Sequence, residues 1–337
     1  MDDVLTVHHD AVVIDGHSDI FTDVVTRRRR GEREVFKSRH APLLTAGGVD
    51  AVFAAAWVEP DYKPERSLKR AMQILGAALA DLDETPEIAV VVRTRADLLD
   101  AIDRRRLALV LGLEGGEPVE DHIESLRAFY EIGVRFVTVT WNQRNRLADG
   151  IDEEDAHGRL TRAGVEFIKE ANRLGVILDL SHMSQGSFWH ALDVSSAPVM
   201  VSHTCCRALC DHPRNVTDDQ IKAVAETGGV IGVNFSAGHL AHGGATVATI
   251  AKHIDHLVDL VGADRVGLGP DFIKFLHEGG SWPFPAELNR QNVIGGLEDD
   301  SNLIEVTRVL VARGYRREQI NAVLGGSFLA LAERVLR

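Results

Sequence analysis

Eight short apolar segments, most of them separated by stretches of helical periodicity, restrict this chain more than any other feature. They fall at residues 11–14, 49–58, 107–113, 134–140, 176–180, 198–201, 230–235 and 265–269. The run 107–113 is apolar without interruption, as expected of a strand buried on both faces. Between the strands, residues 65–82 repeat Leu68, Met72, Leu75, Leu79 and Leu82 at helical spacing. Further helical patterns cover 94–106, 122–132, 161–174 (closed by Gly175), 185–192, 217–227 (opened by Thr217) and 246–261. Alternating strand and helix imply a parallel sheet with crossover connections. Eight such units in 337 residues, with no composition break to mark a linker, favour one α/β domain over 1–337, a (β/α)8 TIM barrel. An open nucleotide-binding sheet is disfavoured, because no GxGxxG loop follows the first strand. Two additions are expected: an irregular insertion at about 21–47 and two C-terminal helices at 301–313 and 317–335.

The insertion carries Arg27, Arg28, Arg29, Arg30, Arg33, Lys37 and Arg39. It reads as a solvated loop beside the site, able also to touch an anionic substrate group. A net charge of −13 excludes a nucleic-acid surface, which needs a basic excess. Cys205, Cys206 and Cys210 are odd in number and clustered, so reduced thiols are expected, with a metal or redox role for Cys206 and Cys210 as the lesser alternative. The sequence shows no secretory signal, no bilayer-length apolar run and no hydrophobic tail. The expectation is a soluble, cytoplasmic protein with no membrane partner.

In a barrel, the C-terminal ends of the strands share one face, where chemistry gathers. Five of the eight segments run into polar groups there: His17 and Asp19, Glu114, His182, His203 and Asp271. Each has a plain structural alternative, such as a hydrogen-bonded histidine, an arginine-paired glutamate or a capping aspartate. Together they are costly to bury without a cation, because ionised groups in an apolar setting are destabilising. Three imidazoles and two or three carboxylates on one rim suit a two-metal hydrolytic site, and zinc fits these nitrogen and oxygen donors. Two ions about 3.5–4 Å apart can share and activate one water and polarise a carbonyl. A further carboxylate can then carry the proton.

At these residues the sequence resembles the membrane (renal) dipeptidase family of zinc dipeptidases. The matching pieces are Asp15-Gly16-His17-Ser18-Asp19, Gly112-Leu113-Glu114-Gly115-Gly116 and Leu178-Asp179-Leu180-Ser181-His182-Met183-Ser184. They continue through Val201-Ser202-His203, His212-Pro213-Arg214-Asn215-Val216, Val266-Gly267-Leu268-Gly269-Pro270-Asp271-Phe272 and Leu324-Gly325-Gly326-Ser327-Phe328, in family order. The resemblance implies two Zn2+ per chain, one on His17, Asp19 and Glu114 and the other on Glu114, His182 and His203. It implies Arg214 as the group that binds the substrate's C-terminal carboxylate and Asp271 as the catalytic proton acceptor. It further implies a homodimer and tolerance for a D-residue on the C-terminal side. Two positions depart from the pattern. Thr140-Trp141 stands where many members have Thr-His, so Trp141 or Asn142 takes over contact with the substrate, or the reaction differs. Asp271-Phe272-Ile273-Lys274 stands for Asp-Phe-Asp-Gly and alters the pocket rim.

The reading is a binuclear zinc dipeptidase acting on small-molecule dipeptides. Two others remain open: an amidohydrolase-type enzyme for another amide, lactam or lactone, and a non-catalytic small-molecule-binding barrel.

Overall fold

The computed structural model of the protein describes residues 3–120, 122–284 and 293–337. Eight parallel strands follow one another around a nearly closed barrel: β1 (Val13–Ser18), β2 (Val49–Trp57), β4 (Leu107–Glu114), β5 (Val134–Thr138), β6 (Ile177–Asp179), β7 (Val199–Thr204), β8 (Val230–Val233) and β9 (Val266–Leu268). A ninth, β3 (Ala89–Val91), pairs only with the first residues of β4, where Ala89 lies opposite Leu107. At three residues it is too short to show a pattern, and the sequence reading missed it. No ladder joins β1 to β9, yet the two are in contact: a methyl group at Gly16 would fall 2.7 Å from the Leu268 carbonyl oxygen.

The barrel interior is filled by large rings facing glycines. Phe53 packs against Phe136 and Phe328 with ring centroids 5.5 and 5.4 Å apart. Phe328 belongs to the C-terminal helix Ser327–Val335, so that helix closes the barrel with its own side chain. A Cβ at Gly16 or Gly267 would lie 2.5 or 2.4 Å from the Phe328 ring, which is why those strand positions lack one. A π-helical turn, Ala322–Gly326, precedes this helix and brings Gly325 against β1. The expected helix over 317–335 is therefore three pieces, beginning with Arg317–Asn321. The other C-terminal helix is shorter than expected, Ile304–Ala312 after a 3₁₀ turn.

The segment at 21–47 is helical, which corrects the expectation of an irregular solvated loop. It contains the helix Ile20–Arg29, a π-helical turn Phe36–His40 and the helix Ala41–Ala46. Two of its basic residues, Arg27 and Arg28, face inward onto acids, whereas Arg29, Arg30, Arg33 and Arg39 are exposed as expected. Arg27 donates to Asp23, and Arg28 to Asp81 and Glu84. Asp81, fully buried, also accepts the backbone N–H groups of Val35 and Phe36. Long-range pairing organises the segment, and no local pattern reveals it. Among the described residues, no helix is long and apolar enough to cross a membrane.

Phe328→Ala removes the ring that fills the barrel and leaves a cavity beneath the glycines. The expected cost is about 3–5 kcal/mol, read as a lower urea midpoint with unchanged slope. A loss below about 1 kcal/mol contradicts the filling role.

Candidate metal centre

The C-terminal ends of the strands gather His17, Asp19, Glu114, His182 and His203, all of them buried. β1 extends through His17, while Asp19 sits just beyond it, before the helix Ile20–Arg29. β4 ends on Glu114, and β7 runs through His203. Glu114 Oε1 is the meeting point. It lies 2.9 Å from His182 Nε2, 3.5 Å from His17 Nε2 and 3.6 Å from His203 Nε2. His17 Nε2 is also 3.9 Å from Asp19 Oδ1, and both atoms are buried without a hydrogen-bond partner.

The partners on the far side of each ring determine what these nitrogens present. Asp179, fully buried in β6, accepts from the backbone N–H groups of Ser181 and Ser202 and from both serine hydroxyls. With its hydrogen given to Asp179, the Ser202 hydroxyl accepts from His203 Nδ1 at 2.8 Å. Asn142 Oδ1 accepts from His182 Nδ1 at 2.6 Å. Both rings are thereby held in the tautomer whose Nε2 carries a lone pair. Those lone pairs face each other at 2.8 Å, beside the Glu114 carboxylate. Three acceptors in contact need a cation between them. This donor set fits divalent zinc, with hydrogen-bonded outer partners of the kind that orient ligating imidazoles.

The electrostatics agree. Burial disfavours the His17 cation, but Glu114, Asp19 and Asp271 outweigh it and raise its pKa to about 10. Burial, followed by the Arg214 charge, lowers His182 to about 3, and burial with the neighbouring His17 lowers His203. Burial and the Glu114 charge hold Asp19 well above the usual carboxylate range. Positive charge is thus favoured at His17 and neutral imidazole at the other two.

Asp271 follows β9 with left-handed backbone (φ 57°), as does His182 after β6 (φ 68°). Such strained non-glycine positions aim side chains where regular strands do not. Asp271 can bring a carboxylate oxygen within 4.8 Å of ligand atoms of both His17 and Asp19, and its Oδ2 accepts from Asn234 Nδ2 at 3.1 Å. Burial, with Glu114 adding to it, pushes its pKa up to about 6 against the pull of His17, Arg214 and Asn234.

These groups open into a cleft of about 300 Å3. Arg214 lines it, with Nη2 donating to the His203 carbonyl at 3.4 Å and no carboxylate partner among the described residues. Trp141 lines it too, with its ring centroid 5.9 Å from that of His182. Asn142, nominated as a substrate contact, is hydrogen-bonded to the His182 ring. The sequence reading gave no role to Asp179, Asn234, His212, His239, Trp57 or Trp282. Asp179, Asn234 and Trp57 lie in or next to apolar strands that read as core; His239 and Trp282 lie in connecting segments without a distinctive spacing, and His212 stood out only as part of the piece around Arg214. Cys205, Cys206 and Cys210 are free and buried. The Cys206 and Cys210 thiols donate to the carbonyls of His253 and Gly238.

Over residues 1–337 the chain matches the family model described as Membrane dipeptidase (Peptidase family M19). Dipeptidase 3 of Mus musculus is 30% identical over 349 residues, covering 98% of this chain and 66% of that protein. The chain thus spans about two thirds of the length of that relative. An uncharacterized protein of Klebsiella pneumoniae is 36% identical over 250 residues, 71% of this chain and 86% of its own. Among solved structures, a metallo peptidase from Rhodobacter sphaeroides, liganded with a phosphinate mimic of the dipeptide L-Ala-D-Ala, shares the fold. Its TM-score is 0.85 at 23% identity, over 97% of this chain and 100% of that one.

Asp179→Asn should loosen the serine hydroxyls that orient His203. We expect zinc affinity to fall about 10- to 100-fold in a competition titration with a chromogenic chelator. Unchanged affinity would show that Asp179 serves the barrel alone.

Proposed function

The chain belongs to the membrane dipeptidase family, and from that premise we propose that it is a binuclear zinc dipeptidase. The observation that carries the reading is the convergence of Glu114 Oε1 with three imidazole Nε2 atoms, all within 3.6 Å of it, at the floor of a cleft. His17, Asp19 and Glu114 would hold one ion and Glu114, His182 and His203 the other, with the Glu114 carboxylate shared. When bound, the ions supply Lewis acidity, which lowers the pKa of water and polarises the scissile carbonyl.

The remaining chemistry belongs to the chain. Arg214 offers a guanidinium to the substrate's C-terminal carboxylate, a group it can grip with two parallel hydrogen bonds. That grip fixes the peptide carbonyl over the cluster. Asp271 takes the proton from the attacking water and passes it to the leaving amine. Asn234 engages one of its carboxylate oxygens, and a pKa of about 6 suits exchange in both directions near neutrality. Asn142 orients His182, and Trp141 supplies a wall in place of the family histidine. An indole donates a hydrogen bond but cannot become a cation, so this position offers a developing oxyanion a neutral donor at most. The Rhodobacter protein's ligand supports including dipeptides with a C-terminal D-residue. A homodimer in the cytoplasm completes the reading.

The test is elemental analysis of purified protein, paired with hydrolysis of L,L and L,D dipeptides. Two zinc ions per chain and cleavage abolished by chelator and restored by zinc are expected. Two ions without dipeptide cleavage would favour another amide or a lactone, and failure to bind any metal would overturn the mechanism. Arg214→Ala should raise KM by about 10- to 1,000-fold for a free dipeptide and little for its C-terminal amide. Asp271→Asn should lower kcat by about 10²–10⁴.

A further inference from the structure

Trp57, Trp141, Phe284 and Trp282 close a circuit of aromatic rings on one side of the cleft. Successive centroids are 5.6, 6.2, 5.1 and 5.7 Å apart, and all four residues line the space above Glu114 and His182. We propose that this aromatic box is the subsite for the side chain of the substrate's N-terminal residue, and that it selects a bulky apolar one. The assignment rests on the dipeptidase reading and specifies its substrate class.

Direction comes from the barrel. Arg214 follows β7, and Trp57 ends β2; in the eight-strand circuit those two strands stand opposite each other. A dipeptide with its carboxylate on Arg214 and its carbonyl over the metal ligands must extend its N-terminal residue toward Trp57. Trp141 bounds that end from β5, and Trp282 and Phe284 reach it from the segment after β9.

The chemistry of the box points to an apolar occupant. Trp57 Nε1 and Trp282 Nε1 are buried, so these two indoles present ring carbon rather than N–H groups to a ligand. Lys63 Nζ stands 4.8 Å from the centroid of the Trp141 ring and is ion-paired with Glu117 at 3.3 Å, so a cation of the chain itself already uses that ring. The opposite side of the cleft differs in kind. Arg214, His212, His239 and Ser236 line it, with Ile273 as its one aliphatic side chain among the described residues, so the continuous apolar surface is the box.

The zinc-loaded full chain should be assayed on Gly-Ala, Leu-Ala and Phe-Ala, and on Ala-Gly, Ala-Leu and Ala-Phe, with the C-terminal residue in both L and D forms. We expect kcat/KM for Leu-Ala and Phe-Ala to exceed that for Gly-Ala by at least about tenfold, with a smaller spread in the second series. Trp282→Ala and Phe284→Ala, both at partly exposed positions, should each shrink the N-terminal ratio. Three of the four tryptophans form the box, so binding is also visible without turnover. Titrating Asp271→Asn with Leu-Ala or Phe-Ala should shift tryptophan emission, and Gly-Ala should not. Equal efficiency across the N-terminal series, or a ratio unaltered in both variants, overturns the box and leaves the dipeptidase reading standing. An emission shift selective for Leu-Ala and Phe-Ala, with no dipeptide hydrolysed by the zinc-loaded enzyme, overturns the dipeptidase reading and keeps the box. Neither hydrolysis nor an emission shift overturns both.

Discussion

The architecture of the rim depends on one repulsive arrangement, the contact of Glu114 Oε1 with imidazole lone pairs. Carboxylate oxygen and neutral Nε2 atoms do not attract one another, and burial removes the water that would otherwise separate them. What fixes them at 2.8–2.9 Å is the shell behind: Asn142 on His182, Ser202 on His203, and Asp179 gathering both serines. That shell determines tautomers before any ligand arrives, so the strain of bringing acceptors together is carried by the fold. A cation at this place converts the repulsion into coordination. The high pKa of His17 expresses the same field, since the carboxylates that hold a proton there also favour a divalent ion.

Such a shell needs strands whose ends do not move, and the barrel interior supplies that rigidity. Phe328 enters from the last helix and occupies the space left by Gly16 and Gly267, two strand positions where a methyl group would collide with it. Gly16 directly precedes His17, so the packing of the barrel interior and the placement of a candidate metal ligand are one constraint. The π-helical turn at Ala322–Gly326 serves this packing, because it lets Gly325 press on β1 while Phe328 reaches inward.

The barrel and the cluster of polar groups on its rim were legible because both leave local signals. A strand buried on both faces reads as an apolar run, and a polar group at its end stands out, as with His17, Glu114 and His203. Partners contributed from a distance are harder to see. Arg28 looked solvated because its acids, Asp81 and Glu84, are more than fifty residues on, whereas the Asp23 partner of Arg27 lies one turn away in the same helix. Asp179 was hidden for a related reason. In Leu178-Asp179-Leu180 it reads as one polar residue in a strand, and only the folded register places both serines on its carboxylate. The aromatic circuit was invisible as well, since its four members come from three stretches of the chain far apart in sequence: the end of β2, the segment after β5 and the segment after β9.

That circuit changes the meaning of the Thr140-Trp141 departure. Taken alone, an indole where an imidazole is usual looks like a loss, because the position gives up an acceptor and a titrating group. In the fold, the indole has company. Trp57 meets it from β2, Phe284 lies nearly parallel to it at 26°, and Lys63 covers another part of its surface while paired with Glu117. Here the neighbours are aromatic and mutually packed, and Trp282 joins the ring through contacts with Trp57 and Phe284. The cleft is polarised, with a guanidinium and imidazoles on one side and a continuous apolar surface on the other. A surface of that kind contributes binding energy in proportion to the apolar area a ligand buries.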